Sequence, residues 1–456
     1  MEFVHRPYQI GETIAAIATP PGEGGVAIVR ISGQEAFSVA GQIFSGPVHR
    51  YQTHTAHCGR ILDDQKQTID EVLLLVMRAP RSYTGEDTIE IHCHGGSLIT
   101  RKVLSAVLNA GARAARPGEF TFRAFINNKL DLAQAEAVQE LIGAKNELAL
   151  SMAEQQLHGA LSEKISAFQK ELIDSAAILE AWIDFPEEGL EFATLEELCA
   201  QIKGVQEKMC ALSATFHHGK IVHEGLTLCL AGPPNVGKSS LMNALLGKQR
   251  AIVTDIPGTT RDLLEETIRL GQLHFRLVDT AGIRDTGEVI EQEGIRRTKK
   301  AMEEADLILL VMDATRPLRE EDRALMLYTE KTILIWNKID LPHAELPSTP
   351  LKHNVRVSAK MSLGLESMRA LIDHVIWEKG PPSKEEVVIT NLRHKQALDQ
   401  AIQACDTLIQ GLQEGISPEF LSSDMRTILQ ELGTIIGSNI TEDILSAIFS
   451  KFCVGK

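Results

Sequence analysis

Gly232-Pro-Pro-Asn-Val-Gly237-Lys238-Ser239 decides how this chain is read. The stretch fits G-x-x-x-x-G-K-[S/T] in full, the pattern of a phosphate-binding loop. The run before it, Leu226-Thr-Leu-Cys-Leu-Ala231, reads as a short buried strand, and Ser240-Leu-Met-Asn-Ala-Leu-Leu246 after it as a helix. That is the strand–loop–helix setting the motif needs. Glycines let the backbone curl so that N–H groups point at phosphate oxygens, and the helix N-terminus adds its dipole. Lys238 is placed to reach the β- and γ-phosphates, and the Ser239 hydroxyl to ligate Mg²⁺. Asn235, Val236, Gly237, Lys238, Ser239 and Ser240 form this part of the expected site. The competing reading, a glycine-rich turn, does not account for the four motifs downstream of it.

Those four segments come in the order a guanine-nucleotide hydrolase requires. Thr254-Asp255-Ile256-Pro257-Gly258-Thr259-Thr260 is a loop with paired threonines, one of which can close on Mg²⁺ and the γ-phosphate. Leu277-Val-Asp279-Thr280-Ala281-Gly282 is a strand ending in an acid and a glycine, suited to a magnesium-bound water and the γ-phosphate. Thr332-Ile-Leu-Ile-Trp336 is an apolar run ending in Asn337-Lys338-Ile339-Asp340. Val355-Arg-Val357 leads into Ser358-Ala359-Lys360. The N-K-x-D segment selects the base. The Asp340 carboxylate can accept from both N1–H and the N2 amino group of guanine, whereas adenine offers neither donor there. Lys338 can lie along the base with its apolar stem.

One position departs from Ras-like hydrolases, which carry a water-orienting Gln directly after D-T-A-G. Here it is Ile283, so another group must position water. The loop Arg284-Asp-Thr-Gly-Glu288-Val-Ile-Glu291-Gln-Glu293 supplies acids, although any single glutamate in it reads equally as part of a solvated loop. No arginine lies within the phosphate-binding loop; Arg261 and Arg284 sit in the two segments beyond it. Oxygen donors at Asn235 and in the Thr254–Thr259 loop suit a weakly hydrated monovalent cation.

A chain of 456 residues suggests about three domains. No apolar run approaches the ~18 residues of a membrane span, and Met1-Glu-Phe-Val-His-Arg6 has no signal-peptide core, so a cytoplasmic location is expected. The seven cysteines are odd in number and form no C-x-x-C, which points away from disulfides and zinc. In His92-Cys93-His94, strand alternation throws the cysteine to the opposite face from the histidines. The net charge of −15 argues against broad nucleic-acid coating. Between Arg101 and Lys129, however, six basic residues face one acid, Glu119, with Phe120, Phe122 and Phe125 interleaved. This is either an anion or nucleic-acid patch or a basic edge over core phenylalanines.

Residues 1–125 mix short β-like runs, among them Val26–Ile31, Val72–Met77 and Thr88–His92, with glycine-rich turns and a helical pattern over Leu98–Leu108; they read as an α+β domain. From 126 to 221 the period becomes helical, with Leu157, Leu161, Ile165, Phe168 and Leu172 on one face. An α/β nucleotide unit occupies 222–378, and 379–456 returns to helix through Leu398, Ile402, Cys405, Ile409 and Leu412. The expected fold class is therefore multidomain α+β and α/β: an N-terminal α+β domain, a discontinuous helical domain, and a Ras-like unit inserted into it. The chain ends Phe449-Ser-Lys-Phe452-Cys453-Val454-Gly455-Lys456. That tail reads as frayed, or as carrying a thiol whose lysine neighbours favour the thiolate.

With these motifs in view, the chain resembles the MnmE (TrmE) family of bacterial tRNA-modifying GTPases from end to end. The resemblance rests on Ala18-Thr-Pro-Pro-Gly22, Arg30-Ile-Ser-Gly33, Ser82-Tyr-Thr-Gly-Glu-Asp87, His94-Gly-Gly96, Arg116-Pro-Gly-Glu-Phe120, Asn128-Lys129-Leu-Asp-Leu-Ala-Gln-Ala-Glu-Ala137, Asp184-Phe-Pro186, the nucleotide motifs and the Phe-Cys-x-Gly-Lys terminus. Departures are small: Val236 and Pro257 stand where many relatives have Ala.

The resemblance implies a homodimer built through an N-terminal folate-binding-like domain. It implies a 5-formyl- or methylene-tetrahydrofolate one-carbon donor held by Arg30, Glu90, Lys129 and Lys456, and a part for Cys453 in the modification chemistry. It implies an FAD-containing partner, MnmG, in a heterotetramer that adds a (carboxymethyl)aminomethyl group to C5 of the tRNA wobble uridine. K⁺ near Asn235, Thr254, Ile256 and Thr259 would stand in for an arginine finger, Mg²⁺ would sit on Ser239 and Thr260, and Glu291 would orient water. Two other classes stay open on sequence: a ribosome-assembly GTPase, for which no G-x-x-G RNA module is found after residue 378, and a non-catalytic GTP- and folate-binding switch.

Overall fold

Strand alternation and helical periodicity take over from one another twice along the chain, and the fold follows those changes. The computed structural model describes residues 11–184, 194–246, 267–270, 273–277, 300–326, 328, 330–342, 346–377, 380, 382–383, 385–438 and 440–455. They form two compact units: Met1–Ile142 with Ala153–Ala211 and Arg393–Lys456, and Gly143–Met152 with Leu212–Leu392.

The first unit opens with β1 (Ile14–Ile17), β2 (Val26–Ser32), α1 (Ala36–Ile43), β3 (Thr55–Leu62), β4 (Thr68–Met77), β5 (Thr88–His94), α2 (Ser97–Asn109), β6 (Arg113–Ala114) and α3 (Glu119–Ile126). The sheet order is β3-β4-β5-β2-β1-β6, antiparallel except for the β1–β6 pair. Alternation along β4 buries Val72, Leu74 and Val76 and turns Glu71 and Leu73 outward. The buried side packs with Val29, Ile31, Ile89 and Ile91 against Phe37 of α1 and Val103 and Val107 of α2. Each such side chain contributes about 1.5–3 kcal/mol on burial. In β5, Cys93 is buried while His92 meets Glu90 and His94 meets Asp70, which separates the three side chains as alternation requires.

The helical part of this unit follows as α4 (Leu132–Gly143), α5 (Glu147–Leu157), α6 (Ala160–Asp184) and α7 (Leu195–Ala214). Leu157 does not share the α6 face: His158 and Gly159 form a turn that ends α5, and the buried stripe runs through Leu161, Ile165, Phe168 and Leu172. Gly159 takes φ +93°, which closes the turn between α5 and α6.

The second unit contains α8 (Phe216–Glu224), β7 (Leu226–Ala231), α9 (Lys238–Leu246), β8 (Thr267–Leu270), β9 (Leu273–Leu277), β10 (Leu307–Asp313), α10 (Glu320–Arg323), β11 (Thr332–Asn337), β12 (His353–Arg356) and α11 (Leu365–Ile376). Its sheet order is β12-β11-β10-β7-β9-β8, parallel but for the antiparallel β8–β9 pair. β10 and β11 are apolar on both faces, as strands buried between helical layers must be. The chain order reverses about β7, whose C-terminal end is therefore the ligand-binding crevice of such a sheet. Residues 143–152, which periodicity leaves within the helical stretch, pack here. Leu148, Ala149 and Met152 join the core of Leu228, Phe275 and Val222, and the buried Asn146 donates to Val222 O at 2.9 Å.

The remaining helices, α12 (Leu392–Glu414), α13 (Pro418–Ile436) and α14 (Glu442–Phe449), belong to the first unit from Arg393 onward. A buried polar clasp ties α12 to α4. Glu136 accepts from Arg393 Nε at 3.0 Å, from its terminal nitrogen at 2.7 Å, and pairs with His394 Nε2 at 2.6 Å. Burial works to raise the Glu136 carboxyl, but His394 and Arg393 outweigh it and hold it at about 2. Its folded value is depressed, so this contribution is present above the ordinary carboxylate range and is lost as pH falls toward 2. Glu136→Gln is expected to destabilise the unit by about 3–5 kcal/mol in denaturant titrations at neutral pH, because the Arg393 guanidinium loses the buried carboxylate it is bonded to. The same variant should lack the part of the acid-induced stability loss that Glu136 causes. A variant as stable as the parent would refute the role given to the clasp.

Candidate functional site

The phosphate-binding loop is held from below and from the side. Val236, 1% exposed, packs into the core of the second unit. Gly237 has φ +95°, and a Cβ there would lie 2.4 Å from Asn337 Nδ2, so the close approach admits only glycine. Asn235 also lies in the left-handed region, at φ +62°, which asparagine tolerates better than most residues. Lys238 opens α9 and folds back on its own loop, donating to Gly232 O and Pro233 O at 2.8 Å each. Burial lowers its pKa. Ser239 and Ser240 follow in the first turn of α9 and are exposed.

The N-K-x-D segment sits beside this loop and is bonded to it. Asn337 is buried and uses both ends of its amide: Nδ2 donates to Val236 O at 2.9 Å, and Oδ1 accepts from Ala359 N at 3.0 Å. It rivets the phosphate loop to the Ser358-Ala359-Lys360 loop. Lys338, at φ +69°, donates to Asn235 O at 2.8 Å and to Asp313 Oδ2 at 2.6 Å. Asp340 is exposed at the rim, and the buried Ser358 hydroxyl donates to its Oδ1 at 2.7 Å. Lys360 is exposed.

Asp313 is a residue that motif reading missed. It is the last residue of β10, directly opposite Asn337 in the parallel β10–β11 register. Burial works to raise its carboxyl, but Lys338 and the Thr315 donors outweigh burial and hold it below its ordinary value. The signal was available: Leu307-Ile-Leu-Leu-Val-Met-Asp313 is an apolar run ending in a polar residue, as Thr332–Asn337 is.

Thr254, Asp255, Ile256, Pro257, Gly258, Thr259, Thr260, Asp279, Thr280, Ala281, Gly282, Glu291 and Lys456 lie outside the described residues.

A second cluster forms in the first unit. The β2–β5 register sets Arg30 opposite Glu90, on one face, and Arg30 Nε donates to Glu90 Oε1 at 2.8 Å. The Arg30 guanidinium lies 5.8 Å from the Tyr83 ring and 5.7 Å from Phe120. Burial pushes the Tyr83 phenol up, while its Thr121 hydrogen bond and Arg30 act the other way. Lys129 Nζ donates to Pro80 O at 3.2 Å, and its stem packs near Gly85, so it borders the same loop as Tyr83.

The tail joins this cluster, which overturns its reading as a frayed end. Phe449 and Phe452 are buried with Phe122, Leu132 and Ala135, and Phe122 meets Phe449 edge-on at 5.4 Å. Gln139 Nε2 donates to Lys451 O at 3.3 Å, and Arg30 donates to Gly455 O at 3.4 Å. Cys453 remains exposed between these anchors.

The basic stretch from Arg101 to Lys129 is resolved differently from an open anion patch. Arg113 pairs with Glu12 and Glu119, and Arg123 with Glu86 and Glu119. Phe120 and Phe122 are buried. The geometry is that of a basic edge over core phenylalanines, with two of its arginines consumed by carboxylates. Among the described residues no cluster of His, Cys, Asp and Glu is arranged to hold a metal ion.

Residues 132–453 match the family model described as the MnmE helical domain, and residues 13–129 that of the GTP-binding protein TrmE N-terminus. The tRNA modification GTPase MnmE of Protochlamydia amoebophila (strain UWE25) is 62% identical over 458 residues, covering 100% of both chains. The protein of that name from Geobacter sulfurreducens is 42% identical over 454 residues, covering 98% of this chain and 100% of its own. Among solved structures, the G domain of the T. maritima FeoB iron transporter is 29% identical, covers 33% of this chain and 98% of its own, and has a TM-score of 0.23.

Proposed function

The chain belongs to the MnmE family of tRNA modification GTPases, and from that premise we propose that it hydrolyses GTP while modifying tRNA at C5 of the wobble uridine. In this reading it works as a homodimer with an FAD-containing, MnmG-like partner in a heterotetramer, in the cytoplasm, and the added group is a (carboxymethyl)aminomethyl. Residues 1–125 form the folate-binding and dimerisation domain, 126–221 and 379–456 the helical domain, and 222–378 the GTPase domain. Among the described residues no helix is long and apolar enough to cross a membrane.

The observation that carries the modification reading is the meeting of the tail with the Arg30–Glu90 pair. Arg30 contacts Glu90 and the Gly455 carbonyl at once, two residues beyond an exposed thiol. The donor set also suits a folate. Arg30, Lys129 and Lys456 are cations for its carboxylates, Glu90 is an acceptor for pterin N–H groups, and Tyr83 is an aromatic wall. A bound tetrahydrofolate supplies the one-carbon unit. These residues bind and orient it, and Cys453 stands where the tail enters the site.

In the GTPase domain the cradle fits a nucleotide: Gly237 admits the Asn337 rivet, Lys238 points its ammonium at the loop, and Asp340 presents a carboxylate to guanine. Ser239 and Thr260 would hold Mg²⁺, which neutralises phosphate charge. Asn235, Thr254, Ile256 and Thr259 would hold K⁺, which meets the charge developing between the β- and γ-phosphates. Glu291 orients the attacking water in place of the Gln that Ile283 replaces. Glu291→Gln is expected to slow hydrolysis at least ~10²-fold, about 2.7 kcal/mol of barrier, with nucleotide affinity nearly unchanged. Normal turnover returns Glu291 to the solvated loop. At equal ionic strength, K⁺ is expected to raise hydrolysis at least ~10-fold over Na⁺ or a large organic cation, and Asn235→Ala to remove the stimulation. Equal rates in all three salts would shift attention to Arg261 and Arg284.

The function as a whole is tested by mass spectrometry of tRNA nucleosides from cells lacking the protein. The wobble-uridine C5 adduct is expected to disappear; an unchanged nucleoside profile refutes the proposal.

A further inference from the structure

The tail meets the first unit at two close approaches, one before helix α3 and one on strand β1, that side chains larger than glycine would block. Gly118, the residue before α3, has φ +68°, and a Cβ there would stand 2.4 Å from the Phe449 carbonyl oxygen. Real Cβ atoms do not approach that closely, and the opposing atom is backbone, so a larger residue has to push the tail away. The Gly118 N–H donates to the Cys453 carbonyl at 3.3 Å. Gly455 has φ +97°, and its Cβ would stand 2.3 Å from the Ile17 carbonyl of β1. Its own carbonyl accepts from Arg30 at 3.4 Å.

Between these two seats Cys453 and Val454 are exposed. The Cα atoms of Cys453 and Gly455 are two residues apart and so separate by at most about 7 Å. With the carbonyls of both residues engaged, the thiol is kept within a short reach of Arg30 while staying open to reactants. Preorganisation of this kind matters: a misplacement of about 1 Å can cost ~10²-fold in rate.

We propose that Gly118 is the positioning residue for Cys453, seating the tail so that the thiol stays beside the Arg30–Glu90 pair. The proposal rests on the reading of Cys453 as a modification residue. Gly118 does this through its backbone: the N–H holds the Cys453 carbonyl, and the missing Cβ leaves room for the Phe449 carbonyl. It touches no reacting atom.

The test uses the full chain and Gly118→Ala, with Gly111→Ala as control. Gly111 has φ +113° and nothing within 4 Å of a built Cβ, so its substitution brings backbone strain without a clash. Alkylation of Cys453 by iodoacetamide under native conditions is followed by peptide mass spectrometry, with the exposed Cys58 and Cys210 as internal references. In Gly118→Ala the Cys453 rate is expected to change about 5-fold, to that of the same segment as a free peptide, because the released thiol leaves its place near Arg30. tRNA modification with the flavoprotein partner should fall at least ~10-fold, and GTP hydrolysis should not change. Gly111→Ala should leave all three readouts at the parent value.

Unchanged Cys453 alkylation in Gly118→Ala overturns the proposal. So do equal effects in both variants, since strain alone then explains them. If Gly118→Ala does not fold, hydrogen exchange on the parent decides. The Gly118 amide should exchange at least ~10-fold faster once Cys453–Lys456 is deleted, because its acceptor is gone; no change overturns the seating. Full modification by Cys453→Ser alongside the expected alkylation change removes the role given to the thiol while the seating stands, so the two failures are told apart.

Discussion

Asp340→Asn is expected to lower GTP affinity about 10³-fold, roughly 4 kcal/mol, and to make xanthosine triphosphate the better substrate. The Asp340 carboxylate is aimed by the buried Ser358 hydroxyl, which donates to Oδ1 at 2.7 Å. An amide in its place can still accept that bond on its oxygen. Its NH₂ then takes the position of the oxygen that faced the guanine edge. Two donors meet there, the amide and the guanine N2 amino group, and the guanine pair is lost. Xanthine offers a carbonyl at the same position and restores a donor–acceptor pair. Asn337 still bonds Val236 and Ala359, so the loops stay in place and the change is confined to the base. Competition binding and KM for both nucleotides check this. Unchanged GTP KM with no use of the xanthine nucleotide would mean that Asp340 does not read the base.

Deleting Cys453–Lys456 is expected to abolish tRNA modification, a loss of at least ~10²-fold, while GTP hydrolysis by the same protein stays at the parent rate. The deletion removes the exposed thiol and the Gly455 carbonyl that Arg30 holds. It leaves Phe449 and Phe452 buried, so the helix before the tail keeps its packing. The phosphate-binding loop and the N-K-x-D segment belong to the other unit, which the deletion does not touch. Nucleoside analysis and phosphate release on the same preparation separate the outcomes. Full modification by the truncated protein would show the docked tail to be structural only.

Much of the second unit was legible in the chain because its chemistry is written in short, contiguous spacings. β7 spans the run Leu226–Ala231 that periodicity marks as a strand, and α9 starts at Lys238, where the motif places a helix N-terminus. The cross-strand pair Arg30–Glu90 entered only through resemblance, since composition says nothing about which strands of a sheet are neighbours. α1 and β3 went unread for local reasons. α1 is eight residues long, and β3, Thr-Ala-His-Cys-Gly-Arg-Ile-Leu, carries polar residues and a glycine on an edge strand. Asp313 was missed because its function depends on a parallel register with Asn337, on a neighbouring strand, that no spacing rule encodes.

A phosphate cradle, a guanine-reading carboxylate and a hydrolase loop without the usual glutamine can all be read from the order of residues alone. These features follow from residue types within a few positions of one another, where backbone geometry leaves few choices. The course of the tail cannot be read that way and emerges from the folded chain. Its partner Arg30 is 425 positions from Gly455, and the Gly118 seat depends on a backbone clash avoided between α3 and α14. A short polar terminus has no apolar period to mark it as docked. Its docking energy sits in Phe449 and Phe452 and in surfaces formed by residues far away in sequence, which exist only once the chain has folded.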